Sequence, residues 1–99
     1  MPVRPKLTPD VVIAQGKQQS STLLDGKAVL MSVDNGKYYK LDDIGTRIWA
    51  LIETPTTVGE VCDRLVQEFQ VEYATCEPDV HVLLNRLLKN HLIRVVSPT

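Results

Sequence analysis

The chain has 99 residues, 43% of them apolar, which suffices for one domain with one modest core and leaves little room for a deep catalytic cavity. Eleven basic residues against twelve acidic ones give a net charge of −1, without the Lys and Arg excess that phosphate neutralisation demands of a duplex-binding protein. The N-terminus lacks the apolar stretch of a signal peptide and no segment approaches the roughly 18 apolar residues of a membrane span, so a soluble, cytoplasmic protein is expected.

In chain order, Met1–Asp10 carries three prolines and reads as an extended arm ahead of a single domain over residues 11–96. Val11–Gln15 is apolar enough for a first strand, and the polar Gly16–Thr22 reads as an open loop. Lys27–Val33 alternates, with Val29, Met31 and Val33 on one face and Ala28, Leu30 and Ser32 on the other. Asp34-Asn35-Gly36 supplies residues that tolerate positive φ, and Lys37–Leu41 returns as the second strand of a hairpin. Asp42 or Asp43 can cap a helix to Glu53 whose buried stripe is Ile44, Ile48, Leu51 and Ile52, with Trp49 on its shoulder.

Pro55 ends that helix, and Thr57-x-x-Glu60 is a capping box for the next. Its apolar face is Val58, Val61, Cys62, Leu65, Val66 and Phe69. Gln70–Ala74 reads as a connector with Val71 and Tyr73 turned inward. A third helix from about Thr75 holds Pro78 in its first turn and a core stripe of Val80, Leu83, Leu84, Leu87 and Leu88, with His91 at its end. Leu92–Val96 closes the chain as a short strand. The class is α+β: a three-helix bundle with a small three-stranded antiparallel sheet, the outline of a winged helix.

Catalytic chemistry finds no footing. Cys62, Cys76, His81 and His91 are spaced C-x13-C-x4-H-x9-H, unlike any paired zinc-ligand spacing, so no metal is expected. Cys62 lies on an apolar helix face, where free Cys behaves as a small hydrophobe, and nothing flanking either cysteine would lower its pKa. Both are expected as free thiols. No glycine-rich phosphate loop and no paired carboxylates occur.

The third helix carries a second pattern. Thr75, Asp79, Val82, Arg86 and Lys89 share a flank away from the core stripe, with Val82 an apolar residue among charged ones. A solvated face with one stray valine accounts for this, as does one wall of a groove. The strand Lys37–Leu41 offers an opposite wall, with Tyr39 and Leu41 on one face and Tyr38 and Lys40 on the other. As an edge strand it can pair with an incoming extended peptide. Ordinary strand packing accounts equally well for its tyrosines.

Three segments, Gly36–Asp42 (G-K-Y-Y-x-L-D), Gly45–Trp49 (G-x-x-I-W) and Asp79–Leu87 (D-V-x-x-x-L-x-x-L), resemble in order and spacing the PqqD-like family of leader-peptide chaperones. The resemblance covers about residues 23–96. It implies a winged-helix-like module, not an enzyme and without a cofactor, that binds the leader of a ribosomally made precursor as an added strand against the third helix. Carried onto this chain, the peptide-binding positions are Lys37, Tyr38, Tyr39, Lys40, Leu41, Asp79, Val82, Leu83 and Arg86. Asp79 and Arg86 would set register by charge. The partners implied are a precursor leader, with a lasso-type leaning, and a modifying enzyme such as a protease, cyclase or radical enzyme. His91 stands where the family leads one to expect a helix-ending glycine. The rival from another class is a winged-helix DNA-binding regulator; a third reading is pairing of the edge strand with its own copy, as a weak homodimer.

Overall fold

The computed structural model describes residues 7–17 and 19–96. Nine elements follow one another: β1 (Val12–Gln15), β2 (Gln19–Leu24), β3 (Lys27–Ser32), β4 (Tyr38–Lys40), α1 (Asp43–Leu51), β5 (Thr56–Thr57), α2 (Val58–Phe69), α3 (Tyr73–Lys89) and β6 (Ile93–Val95). The class is the expected α+β with three helices, and the strands form two three-stranded antiparallel sheets, ordered β5-β1-β6 and β2-β3-β4. Ile13, Leu30, Ile48, Leu65, Leu84 and Leu92 meet in one core, each at most 1% exposed.

The polar run expected as a loop over Gly16–Thr22 is largely strand β2, paired with β3 from Gln19↔Ser32 to Leu24↔Lys27. The turn that forces this is Asp25-Gly26, both at positive φ (54° and 78°), as a two-residue hairpin turn of primed type requires. Ser20–Leu24 are exposed, so no apolar alternation marks this strand in the sequence. The second hairpin closes where the Asp34-Asn35-Gly36 signal lies. Gly36 has φ 67°, its N–H donates to Ser32 O at 2.8 Å, and Asn35 Oδ1 accepts from Lys37 N at 2.8 Å. Ala28, Leu30 and Ser32 turn to the core.

Asp42 is the α1 cap: its Oδ1 accepts from Gly45 N at 2.7 Å. The expected stripe is corrected at its ends, since Ile44 is 40% exposed and Trp49 only 6%. Two bonds anchor α1: Ala28 N donates to Thr46 Oγ1 at 2.8 Å, and Gln15 Nε2 to Trp49 O at 2.8 Å. Arg47 grips Glu68 with two bonds, 2.6 and 2.9 Å, tying α1 to α2. Thr57 Oγ1 caps α2 through Glu60 N at 3.1 Å; Phe69, expected on its apolar face, is 37% exposed at the last turn.

The third helix begins at Tyr73, earlier than Thr75, because the Glu72 carbonyl already accepts from Cys76 N at 2.9 Å. Tyr73 is therefore on the helix and 37% exposed instead of turned inward, and Pro78 sits in the second turn, not the first. His91 is exposed and outside the core stripe, at φ 60°. Leu92 N donates to Leu87 O at 2.9 Å and His91 N to Leu88 O at 3.1 Å, the pair of bonds that defines a Schellman ending. The histidine thus takes the left-handed geometry usual for glycine. Gly16 packs against this turn so closely that a Cβ there would stand 2.9 Å from the carbonyl oxygens of His91 and Leu92.

At the N-terminus, packing already begins at Leu7, 4% exposed, while residues 1–6 of the expected arm lie outside the described residues.

Candidate functional site

Strand β4 lies at an edge of its sheet, paired on one side only with β3. Its register is Val29↔Lys40, Leu30↔Tyr39 and Met31↔Tyr38, bracketed by Ser32 N donating to Lys37 O at 3.0 Å and Leu41 N to Ala28 O at 2.8 Å. In an antiparallel ladder, hydrogen-bonded and non-hydrogen-bonded pairs alternate. Lys37, Tyr39 and Leu41 therefore turn their backbone groups to β3. Tyr38 and Lys40 turn theirs to the open edge, and those N–H and C=O groups are what an added strand would use.

The alternation also divides the side chains. Leu41 is buried in the core and Tyr39 is half-buried, whereas Tyr38 is 71% exposed. The Tyr39 hydroxyl donates to Asn90 Oδ1 at 2.9 Å and accepts from Asn35 Nδ2 at 3.3 Å. Arg86 lies over the Tyr39 ring, 5.8 Å from its centre, within cation–π range. These contacts hold β4 against the C-terminal half of α3.

Further along, the two elements part. A groove with a cavity volume of about 400 Å³ opens between Lys40–Gly45 on one side and Thr75–Arg86 on the other. Ile44, Ile48, Val71, Val80 and Leu83 supply apolar lining, and Lys40, Asp42, Asp79 and Arg86 bring charge. Gly45 keeps the floor low, since a Cβ there would meet Leu41 Cβ at 3.1 Å and Leu83 Cδ2 at 3.4 Å.

Of the residues expected to bind peptide, Lys40, Leu41, Asp79, Leu83 and Arg86 line this groove together. Tyr38 stands on the open strand edge beside it, Lys37 is exposed just ahead of the strand, and Tyr39 braces it from behind. Val82 is 70% exposed on α3 and does not line the groove. Ile44 and Val71 were not foreseen as lining. The sign of Ile44 was its place at the first turn of α1, immediately after the edge strand.

Cys76 also lines the groove, 7% exposed, and Cys62 lies wholly buried on α2. Burial is the main cause pushing the Cys62 thiol up to about 11, with Cys76, Glu77 and Asp63 adding repulsion. Burial likewise raises Cys76, helped by Asp79. Both stay protonated near neutrality, which suits packing and not nucleophilic attack. No group of three or more metal-ligating side chains occurs among the described residues, and no described helix is long and apolar enough to cross a membrane.

The family model described as coenzyme PQQ synthesis protein D (PqqD) matches residues 27–93, about two thirds of the chain and all of the groove. The chain belongs to the PqqD family. A search of curated proteins returned no match. Among solved structures, this PqqD-family chain is similar to TbiB1 in complex with the TbiA(beta) leader peptide: 28% identity, 85% of this chain and 98% of that one, TM-score 0.76. It shares its fold with a lasso peptide synthetase B1 complexed with the leader peptide (23% identity, 83% and 96% covered, TM-score 0.73). It also shares it with the PqqD truncation of Methylobacterium extorquens PqqCD, solved by NMR as a stand-alone recognition element for ribosomally synthesised, post-translationally modified peptides (19% identity, 90% and 95% covered, TM-score 0.73).

Proposed function

We propose that this PqqD-family chain is a recognition element that binds the leader of a ribosomally made precursor peptide. The leader adds as a strand beside β4 and lies against α3, while the rest of the precursor stays free for a modifying enzyme. The observation that carries this reading is the open edge of β4. The backbone groups of Tyr38 and Lys40 face outward beside a groove with an apolar floor. Main-chain pairing supplies affinity in such a mode, and pockets for alternate side chains supply selectivity. The leader bound to TbiB1, a relative at 28% identity over nearly its whole length, supports it.

The chain acts by binding and carries out no chemistry of its own. Its partners are the leader and a protease, cyclase or radical enzyme. The precursor class proposed is a lasso-type peptide, the class named for one leader-bound structure of this fold. The contact set proposed is Tyr38, Lys40, Ile44, Asp79, Leu83 and Arg86, with Lys37 and Val82 at the rim and Tyr39 and Leu41 shaping the wall. The DNA-binding alternative is not supported. The groove side of α3 presents an acidic residue, Asp79, as well as Arg86, and the chain's charge is −1.

The test is an amide chemical-shift titration of labelled protein with the leader encoded nearest its gene. Shifts confined to residues 38–48 and 75–86 are expected. Shifts elsewhere would move the site; duplex DNA at low salt moving the α3 amides instead would replace the reading.

A further inference from the structure

The two walls of the groove carry their charges in the same spatial order. Of the charges that line the groove, the strand wall brings Lys40 and then Asp42, and the helix wall brings Arg86 and then Asp79. The walls are aligned by contact. Tyr39 meets Arg86 and Asn90, and the Gly45 position abuts Leu83, one turn from Asp79. One end of the groove is therefore basic on both sides and the other acidic on both sides. The sole ion pair among the described residues is Arg47–Glu68, so none of these four is neutralised by an opposite charge there. Asp42 Oδ1 caps α1 and Arg86 lies over the Tyr39 ring, while Lys40 and Asp79 make no side-chain hydrogen bond among the described residues.

We infer that the groove reads the order of charges along its peptide. It takes an extended strand with a basic residue toward its N-terminal end, an apolar side chain in the middle and an acidic residue toward its C-terminal end. The inference rests on the leader-binding reading and adds the class of leader. Direction follows from the sheet: both existing pairs, β2–β3 and β3–β4, are antiparallel, and antiparallel pairing is the more stable kind. A strand antiparallel to β4 brings its N-terminal end to Asp42 and Asp79 and its C-terminal end to Lys40 and Arg86. Asp79 and Arg86 are seven helical residues apart, about 10 Å, which extended chain spans in roughly three residues. The two peptide charges thus stand three to four residues apart around the apolar one. Each exposed pair contributes up to about fivefold in affinity, and it weakens with salt.

The experiment is fluorescence anisotropy of the full chain with three labelled synthetic peptides. All share one valine- and threonine-rich host with a central leucine: one basic-first, one acidic-first and one uncharged. The basic-first peptide is expected to bind at least about fivefold tighter than the acidic-first one. That preference should collapse at high salt and invert in the Asp79→Lys/Arg86→Glu double variant, whose positions are exposed. Equal affinity of the two charged peptides, or tighter binding of the acidic-first one, overturns the inference and leaves leader binding standing. Failure of all three peptides to bind, the uncharged one included, brings down the leader-binding reading and this one with it.

Discussion

His91 and Cys62 show how single residues carry costs set by the whole fold. His91 occupies a left-handed position that glycine reaches without a Cβ penalty, and its imidazole is solvent-exposed. His91→Gly is therefore expected to stabilise the domain by about 0.5–1 kcal/mol, read as a higher midpoint in urea unfolding at constant slope. A lower midpoint would mean that the imidazole makes a contact that outweighs the backbone strain. At Cys62 burial pushes the folded thiol up to about 11, from about 9 for an exposed one. Above about pH 9 the unfolded state loses a proton that the folded state keeps, so stability falls as pH rises toward 11. The loss should be on the order of 1–3 kcal/mol, and Cys62→Ala, though less stable throughout, should show a shallower decline. Identical slopes would assign the alkaline loss to other groups, Tyr73 among them, whose pKa burial also raises.

Among elements, β4 is the shortest strand of its sheet and, like β2, has one open side; β4 is the one whose open side adjoins the groove. The ladder phase makes a sharp test available, because Lys40 gives its N–H to the open edge and not to β3. Lys40→Pro removes that donor while leaving the β3 bonds of Lys37 and Leu41, and proline is tolerated on edge strands with the N–H side outward. Leader affinity should fall at least tenfold, about 1.4 kcal/mol, with the circular dichroism spectrum preserved. Unchanged affinity would remove strand addition at β4 from the mechanism. The element level is also where sequence reading succeeded and failed for visible reasons. The β3–β4 hairpin, the Asp42 cap and the Thr57 cap are local, since each depends on residues within a few positions. Strand β2 left no apolar alternation because both its faces are largely exposed, although Asp25-Gly26 was a turn signal in plain view.

At the scale of the molecule, the groove exists because α1 leaves the sheet at the end of β4 and α3 crosses nearby, with Thr46 and Gln15 fixing α1 in place. That arrangement shifts weight from Val82 to Ile44. Ile44→Asp, at a position 40% exposed, should weaken leader binding at least tenfold with a melting temperature lowered by only a few degrees. Val82→Asp, outside the lining, should cost about threefold or less. The reverse ranking would place the peptide further out along α3.

The amino-acid sequence by itself determined the three helices, the second hairpin, the family and the two elements that flank the groove, because periodicity, capping and turn chemistry act over a few residues. Only the tertiary structure decided which residues line the space between the walls, that the strands divide into two sheets, and that Ile44 faces the groove while Trp49 is buried. Helical projection reports the angle of a side chain around its own axis. Where a neighbouring element stands, and how far from it, depends on packing between segments distant in the chain.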